Sequence, residues 1–432
     1  MPANIVASGT YTLEIDTGAP VRGFRLDDAV RGILDGTTYV LDGLTDYADV
    51  TGSTTSISVA RGRENTSDAF PAGILTFRLD DTAAGGVFNP FANDGPYYDP
   101  SNDEPGIAPN RVVNLYRDSE LLFTGRIIDY NYDFGLSGDD RVAVTAADDF
   151  YRLAQTTTDE VHIDQELSGS RVETVLDLST VNYPTGAARD IATGTVELAG
   201  HSGGGGGGHE ADLAVGDNVL DYLRQVQEAE QGRLFVSRTG VLTFQNRIGA
   251  TLSGEIAHFR DDGTDYPYRS LKIDFESDKI VNLAYVTTIN NKSGSAQDTD
   301  SQNKYFVQAR AALNTLLNTN ADATALAEYL LNPEPEPTFN AVSVAFSDLT
   351  PAQRDTLATA DIGDTIAISK TFVNGESVTT LTQELAIEGI RHELAVRAGH
   401  LMTFYTSPTT IVFELLLDDP TYGTLDGSNV LG

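Results

Sequence analysis

The chain has 432 residues, 40% of them hydrophobic, with 63 acidic against 28 basic side chains and a formal net charge of −35. That length exceeds one ordinary core and points to about three domains, while the acidic surplus disfavours gripping nucleic-acid backbones or anionic membranes. The absence of cysteine excludes disulfide scaffolds, thiol nucleophiles and Cys-ligated zinc, and no run of about 18 apolar residues offers a membrane-spanning helix.

The N-terminus, MPANIVASGTYTLEID, has neither a basic leader nor an apolar core of the kind secretion requires. The expectation is synthesis and assembly in a cytoplasm. From Thr10 to Ala146 the pattern is strand after strand at short spacing: Tyr11–Ile15, Thr37–Leu41, Ser56–Ala60, Ile74–Leu79, Arg111–Tyr116, Leu121–Tyr132 and Val142–Ala146. Turn signals such as Asp42-Gly43, Arg117-Asp118 and Ser137-Gly138-Asp139-Asp140 separate them, which argues a β-sandwich or barrel.

The period then changes. Ser170-Arg171-Val172-Glu173 reads as a capping box opening a short helix. A second helix is expected from an Asp217 cap through Val219, Leu220, Leu223 and Val226, ending at Gly232. Leu234–Ser237 and Val241–Gln245 follow as strands around Thr239-Gly240. The six glycines between His201 and His209 lack the Lys-Ser/Thr and following helix of a phosphate-binding loop. Two histidines there could bind a metal, but ordering so much glycine costs entropy, and a loop tip or linker is expected.

From Tyr268 onward β-alternation returns, with Asn290–Ser301 expected as an exposed hairpin tip and Ala321–Leu331 as a helix capped by Asn320. Pro333-Glu-Pro-Glu-Pro337 stops that helix. Strands are expected at Ala341–Phe346, Thr365–Ser369, Thr379–Glu388 and Ile411–Leu417. The division that results is an N-terminal β domain at 1–148, an α+β domain at 149–255 containing the Gly-rich loop 202–208, and a C-terminal β-rich domain at 256–432 with one helix near 321–331.

Catalytic patterns are missing. None of the six histidines (His162, His201, His209, His258, His392, His400) forms H-E-x-x-H, and there is no G-x-S-x-G elbow. A carboxylate pair at glycosidase distance can arise from folding alone among so many acids, so that class stays open at this level. Asp261-Asp262-Gly263-Thr264-Asp265 resembles a calcium-loop fragment but lacks the ligand at the twelfth position, and is read as a solvated turn. Arg61 and Arg63, around Gly62, are expected in salt bridges. The reading is a protein with no catalytic, cofactor-binding or metal-ligating residues and no cofactor.

Several segments carry a family resemblance. Ser56–Asp99 runs "strand, Arg61-Gly62-Arg63, strand, Leu79-Asp80-Asp81, loop" and ends in Pro96-Tyr97-Tyr98-Asp99-Pro100. Asn110–Tyr116 with Leu122-Phe123-Thr124-Gly125-Arg126-Ile127, then Val144–Asp149, continue the pattern. So do Val219–Leu223 with Gly232–Val236 and Gly240–Phe244, then Ile280-Val281-Asn282, Ile387–Glu393 and Pro420–Asp426. In this order they resemble the tail-tip (baseplate) hub, or minor tail, proteins of long-tailed siphophages. Arg in place of Lys, with only Lys272, Lys279, Lys292, Lys304 and Lys370 present, suggests a GC-rich genome and fits an actinobacterial phage, with a haloarchaeal virus as the alternative. The Trp expected near Asp46–Thr51 is missing, and the glycine run looks like a local insertion.

The resemblance implies a mainly β fold, two tail-tube-like β-sandwich or barrel domains flanking a mixed one. It implies a non-enzymatic structural protein of the virion tail tip, a homotrimer joining sixfold tail rings to threefold tip components around the channel. The implied partners are further copies of itself, a distal tail ring protein, the tape-measure protein and receptor-binding tip proteins, with DNA only in transit and no membrane insertion. A hexameric distal tail ring, a host-surface binding module and a tail-associated peptidase or glycosidase are the rivals. Because the assembled copies repel, basic residues such as Arg61, Arg63 and Arg126 are expected at subunit or domain contacts.

Overall fold

The computed structural model describes residues 8–17, 47–65, 68–91, 97–99, 104–136, 138–201, 212–247, 254–375, 377–395 and 399–408. The expected strands at 37–41 and 411–417, the glycine run with His209, and the segment 420–426 lie outside these residues.

The fold is mainly β and is dominated by one 14-stranded sheet. Its strands are β1 (Tyr11–Asp16), β2 (Tyr47–Asp49), β3 (Thr54–Gly62), β4 (Ile74–Asp80), β5 (Val112–Arg117), β6 (Glu120–Asp133) and β7 (Arg141–Ala147) from the first third of the chain. The last third contributes β8 (Glu255–Arg260), β9 (Tyr266–Pro267), β10 (Ser270–Asp274), β11 (Thr338–Ala345), β12 (Thr365–Asn374), β13 (Ser377–Ala395) and β14 (Gly399–Pro408). The order is β9-β8-β12-β13-β3-β4-β7-β6-β5-β1-β2, with β10-β11-β14 branching from the other edge of β13. Alternation decides the faces. In β1 the residues Tyr11, Leu13 and Ile15 are buried and their neighbours are not, and Ile57 and Val59 in β3, like Leu75, Phe77 and Leu79 in β4, point into the same core.

The first and last thirds share a grammar of strands in the sequence, and the structure makes them a single sheet. β13 runs for 19 residues. Along one edge its first half pairs with β12 and its second half, Gly389 to Ala395, pairs antiparallel with Gly62 to Ser56 of β3. A register shift between Ile387 and Gly389 on the β14 side places a bulge at Glu388, where β13 passes from one neighbour to the next.

A second core lies beside the sheet. Its helix Val219–Glu230 is capped by Asn218, whose side chain accepts from Asp221 N, rather than by Asp217, which instead accepts from Ala214 N. The helix ends on Gln231 in the left-handed region, and Gly232 follows because a Cβ there would lie 2.2 Å from the Gln245 carbonyl oxygen. The preceding helix spans Ser168–Leu176, starting two residues before the expected Ser170 box, with no side-chain cap. Ser168 there is committed elsewhere: its hydroxyl donates to Glu230 at 2.6 Å.

Ala284, Val286, Leu316, Leu317, Ala323, Leu326 and Leu330 belong to this second core, with Val226, Leu234 and Phe244, and not to the sheet. Ser293–Gln297, expected as part of an exposed tip, is a strand on Leu283–Thr288, roofed by the helix Asn320–Tyr329. Gly294 allows that approach, since a Cβ would meet Thr324 N at 2.3 Å. That helix is capped by Thr319, with Asp322 completing the box, not by Asn320. Helices Thr299–Tyr305 and Pro351–Thr359 and strand β14 were not legible from periodicity.

Candidate functional site

The strongest concentration of charge chemistry lies at the seam where β3, β13 and the second core meet. Glu388, on the β13 bulge, is almost fully buried. Its Oε2 accepts from Arg63 Nε at 2.9 Å, and its Oε1 accepts from Arg233 Nη2 at 2.9 Å and from the Ser407 hydroxyl at 2.7 Å. Burial alone would raise this carboxyl, but the Arg233 and Arg63 guanidiniums and the Ser407 hydroxyl together hold it below the usual glutamate range. Arg63 also lies over the Phe70 ring at 4.5 Å, and its backbone N–H donates to the Glu388 carbonyl. One carboxylate therefore ties the first third, the last third and the middle of the chain together.

A second knot sits beside it. Arg61 Nη1 donates to Asp361 Oδ1 at 2.6 Å, while Asp361 Oδ2 accepts from Arg238 N at 2.8 Å. Arg238, in the turn of the expected hairpin, reaches on to the Leu121 carbonyl at 2.7 Å. Arg117 of β5 donates to Asp355 on the helix Pro351–Thr359 at 2.9 Å. Asp148 caps the helix Asp149–Gln155 and accepts from Gly73 N at 2.7 Å. Burial pushes its carboxyl up to about 7, against the pull of the Gly73 and Phe150 N–H groups that donate to it. Of the basic residues expected at contacts, Arg61 and Arg63 do cross the seam. Arg126 donates to the Asn110 carbonyl on the exposed surface.

Two of the histidines are also seam residues. Tyr11 Oη lies 2.7 Å from His400 Nδ1, and His400 Nε2 lies 3.0 Å from His392 Nδ1, which joins β1 to β14 and β13. Burial, reinforced by the Arg61 charge, drives His392 down to about 3. Burial, His392 and Arg117 drive His400 well below its ordinary value, so this chain of proton-sharing groups is neutral.

Among the described residues, apolar side chains gather on the surface. The β12–β13 hairpin extends beyond its neighbours: β8 pairs only as far as Ser369 and β14 only from Leu385. Phe372 and Leu381 are exposed on one face of the projecting part, and the cross-strand pair Val373 and Val378 on the other. At the end of β6, Tyr130, Tyr132 and Phe134 stack in a row, with Phe134 and Leu136 exposed.

The acidic turn at 261–265 is occupied by the protein's own donors. Asp262 accepts from the N–H and hydroxyl of Thr264, and Asp261 accepts from Lys370 at 2.8 Å. One cluster escaped the sequence reading, because its members are separated by up to 50 residues. His162, His201 and Asp212 bring one ligand atom each to within 4.8 Å of one another. Among the described residues no helix is long and apolar enough to cross a membrane.

No family model and no curated protein matches this sequence. Among solved structures, a tail protein from Neisseria meningitidis is similar over 84% of this chain and 93% of its own, at 10% identity and a TM-score of 0.54. A 43 kDa tail protein of prophage MuSo2 from Shewanella oneidensis is similar over 93% of this chain and 99% of its own, at 10% identity and a TM-score of 0.55. At that identity the likeness is one of fold. The chain shares the fold of these tail proteins over most of its length.

Proposed function

We propose that this protein is a structural component of a phage tail, placed at the tail tip, where three copies form a hub around the channel. The observation that carries the reading is the match over 93% of the chain to a prophage tail protein of the same extent. The projecting apolar hairpin at 370–384 supports self-association, because Phe372, Val373, Val378 and Leu381 are exposed among the described residues. The charge distribution fits as well. The buried arginines Arg61, Arg117 and Arg233 are spent on internal seams, which leaves the acidic surplus for solvent and for a lumen that DNA phosphates would not adhere to.

In this reading the hub joins sixfold tail rings to threefold tip components of a siphophage. It contacts a distal ring protein, the tape-measure protein and receptor-binding tip proteins, and it performs no catalysis. The test is native mass measurement of the isolated chain together with imaging of intact tails. A trimer at the distal end supports the reading; a monomer or hexamer in the particle overturns it.

A further inference from the structure

We propose that His162, His201 and Asp212 form a binding site for a divalent transition-metal ion of the zinc class. His162 Nδ1 and His201 Nδ1 converge on a single atom, Asp212 Oδ2, at 2.8 and 2.7 Å. The two rings lie 4.3 Å apart, tilted by 33°. The Asp212 side chain is only 6% exposed, while His162 is 53% exposed.

The backbone under these side chains is already fixed. Val161 and Leu213 exchange both of their N–H···O bonds, at 2.9 and 3.1 Å, and His201 N donates to the Ile163 carbonyl at 2.7 Å. The Ile163 N–H in turn donates to the second Asp212 oxygen at 3.2 Å, which orients the carboxylate. The three ligand positions are thus held together by main-chain bonds and need little ordering to receive an ion.

The donor set selects the metal. Two imidazole nitrogens and one carboxylate oxygen, at about 2.0–2.2 Å from the ion, form the three-protein-ligand pattern of zinc, with water at the open position on the His162 side. Calcium and magnesium want all-oxygen cages and are disfavoured. The ion would replace the ring N–H protons now aimed at Asp212 and would neutralise a mostly buried carboxylate.

The test uses the full chain without an affinity tag, stripped with chelator and titrated with Zn2+ by calorimetry and with Co2+ by visible absorption. Expected are a single equivalent of Zn2+, d–d bands of a nitrogen- and oxygen-ligated Co2+ centre, and a raised melting temperature with Zn2+. His162→Ala, at an exposed position, should keep the circular dichroism of the parent and weaken Zn2+ binding beyond the roughly 10–100-fold that loss of an outer-shell partner costs. Asp212→Asn should lose the Co2+ bands. Zn2+ affinity unchanged in His162→Ala, no Zn2+ binding by the parent, or displacement of Zn2+ by millimolar Ca2+ would each overturn the assignment.

Discussion

Replacing Glu388 with Gln tests whether the seam is held by charge. The side chain keeps its size and can still receive the Ser407 hydroxyl, but Arg63 and Arg233 lose their counter-ion in a site where the Glu388 side chain is 3% exposed and the arginines are 15% and 10% exposed. Removing one partner of a buried ionic group typically costs about 3–5 kcal/mol, because the stranded charge keeps its desolvation penalty without compensation. The assay is urea unfolding followed by far-ultraviolet circular dichroism and tyrosine fluorescence, since the chain has 18 Tyr and no Trp. Adding Arg63→Met to Glu388→Gln should then recover part of the loss, with a coupling of about 0.5–3 kcal/mol. A loss below about 1 kcal/mol, the range of exposed pairs, would refute the reasoning. So would strict additivity of the two replacements.

The buried histidines give a pH dependence of definite sign. His392 is held down to about 3 from an ordinary 6.5, so the unfolded chain binds the extra proton and stability falls, by about 1.4 kcal/mol per pH unit, as pH drops from 6.5 toward 3; unfolding curves of His392→Gln should be flatter over that range. Asp148, pushed up to about 7 from 3.8, acts in the opposite direction, losing its contribution as pH rises through 7; the penalty of Asp148→Asn, read from the same unfolding curves, should therefore be larger at pH 5 than at pH 8. Gly62 has φ of +76° and a Cβ there would lie 2.2 Å from the Glu388 carbonyl oxygen, so Gly62→Ala should cost more than the about 1–3 kcal/mol of backbone strain alone, measured by denaturation. Val373→Lys with Val378→Glu, an opposite-charge cross-strand pair on the exposed hairpin, should leave stability within about 0.5 kcal/mol yet reduce self-association in light scattering; unchanged association would remove the hairpin from the proposed interface.

Much of the fold was legible because strands such as β4, and the Ile57–Val59 stretch of β3, alternate apolar and polar residues, and a period of two fixes both element and face. The helix at Val219–Glu230 was legible for the same reason at period 3.6. Elements whose burial is set by neighbours were not. In Ser293–Gln297 the helix lying over Gly294 demands a small residue on one face, while Ser293, Ser295 and Gln297 are exposed on the other, and small plus polar without that context reads as a loop.

The sequence by itself determined a mainly β chain with a mixed centre, a surplus of carboxylates and no recognisable catalytic spacing, because these follow from local period and composition. Only the tertiary structure decided that β13 would join the first and last thirds into one sheet, that residues 281–330 would pack with the middle, and that Glu388 would collect Arg63 and Arg233 from positions 325 and 155 residues away. It alone also brought His162 to His201 and Asp212. Pairings at such separations leave no periodic trace: any of 63 acids could have faced any arginine, and the choice was made by the register of strands and the shape of the cores.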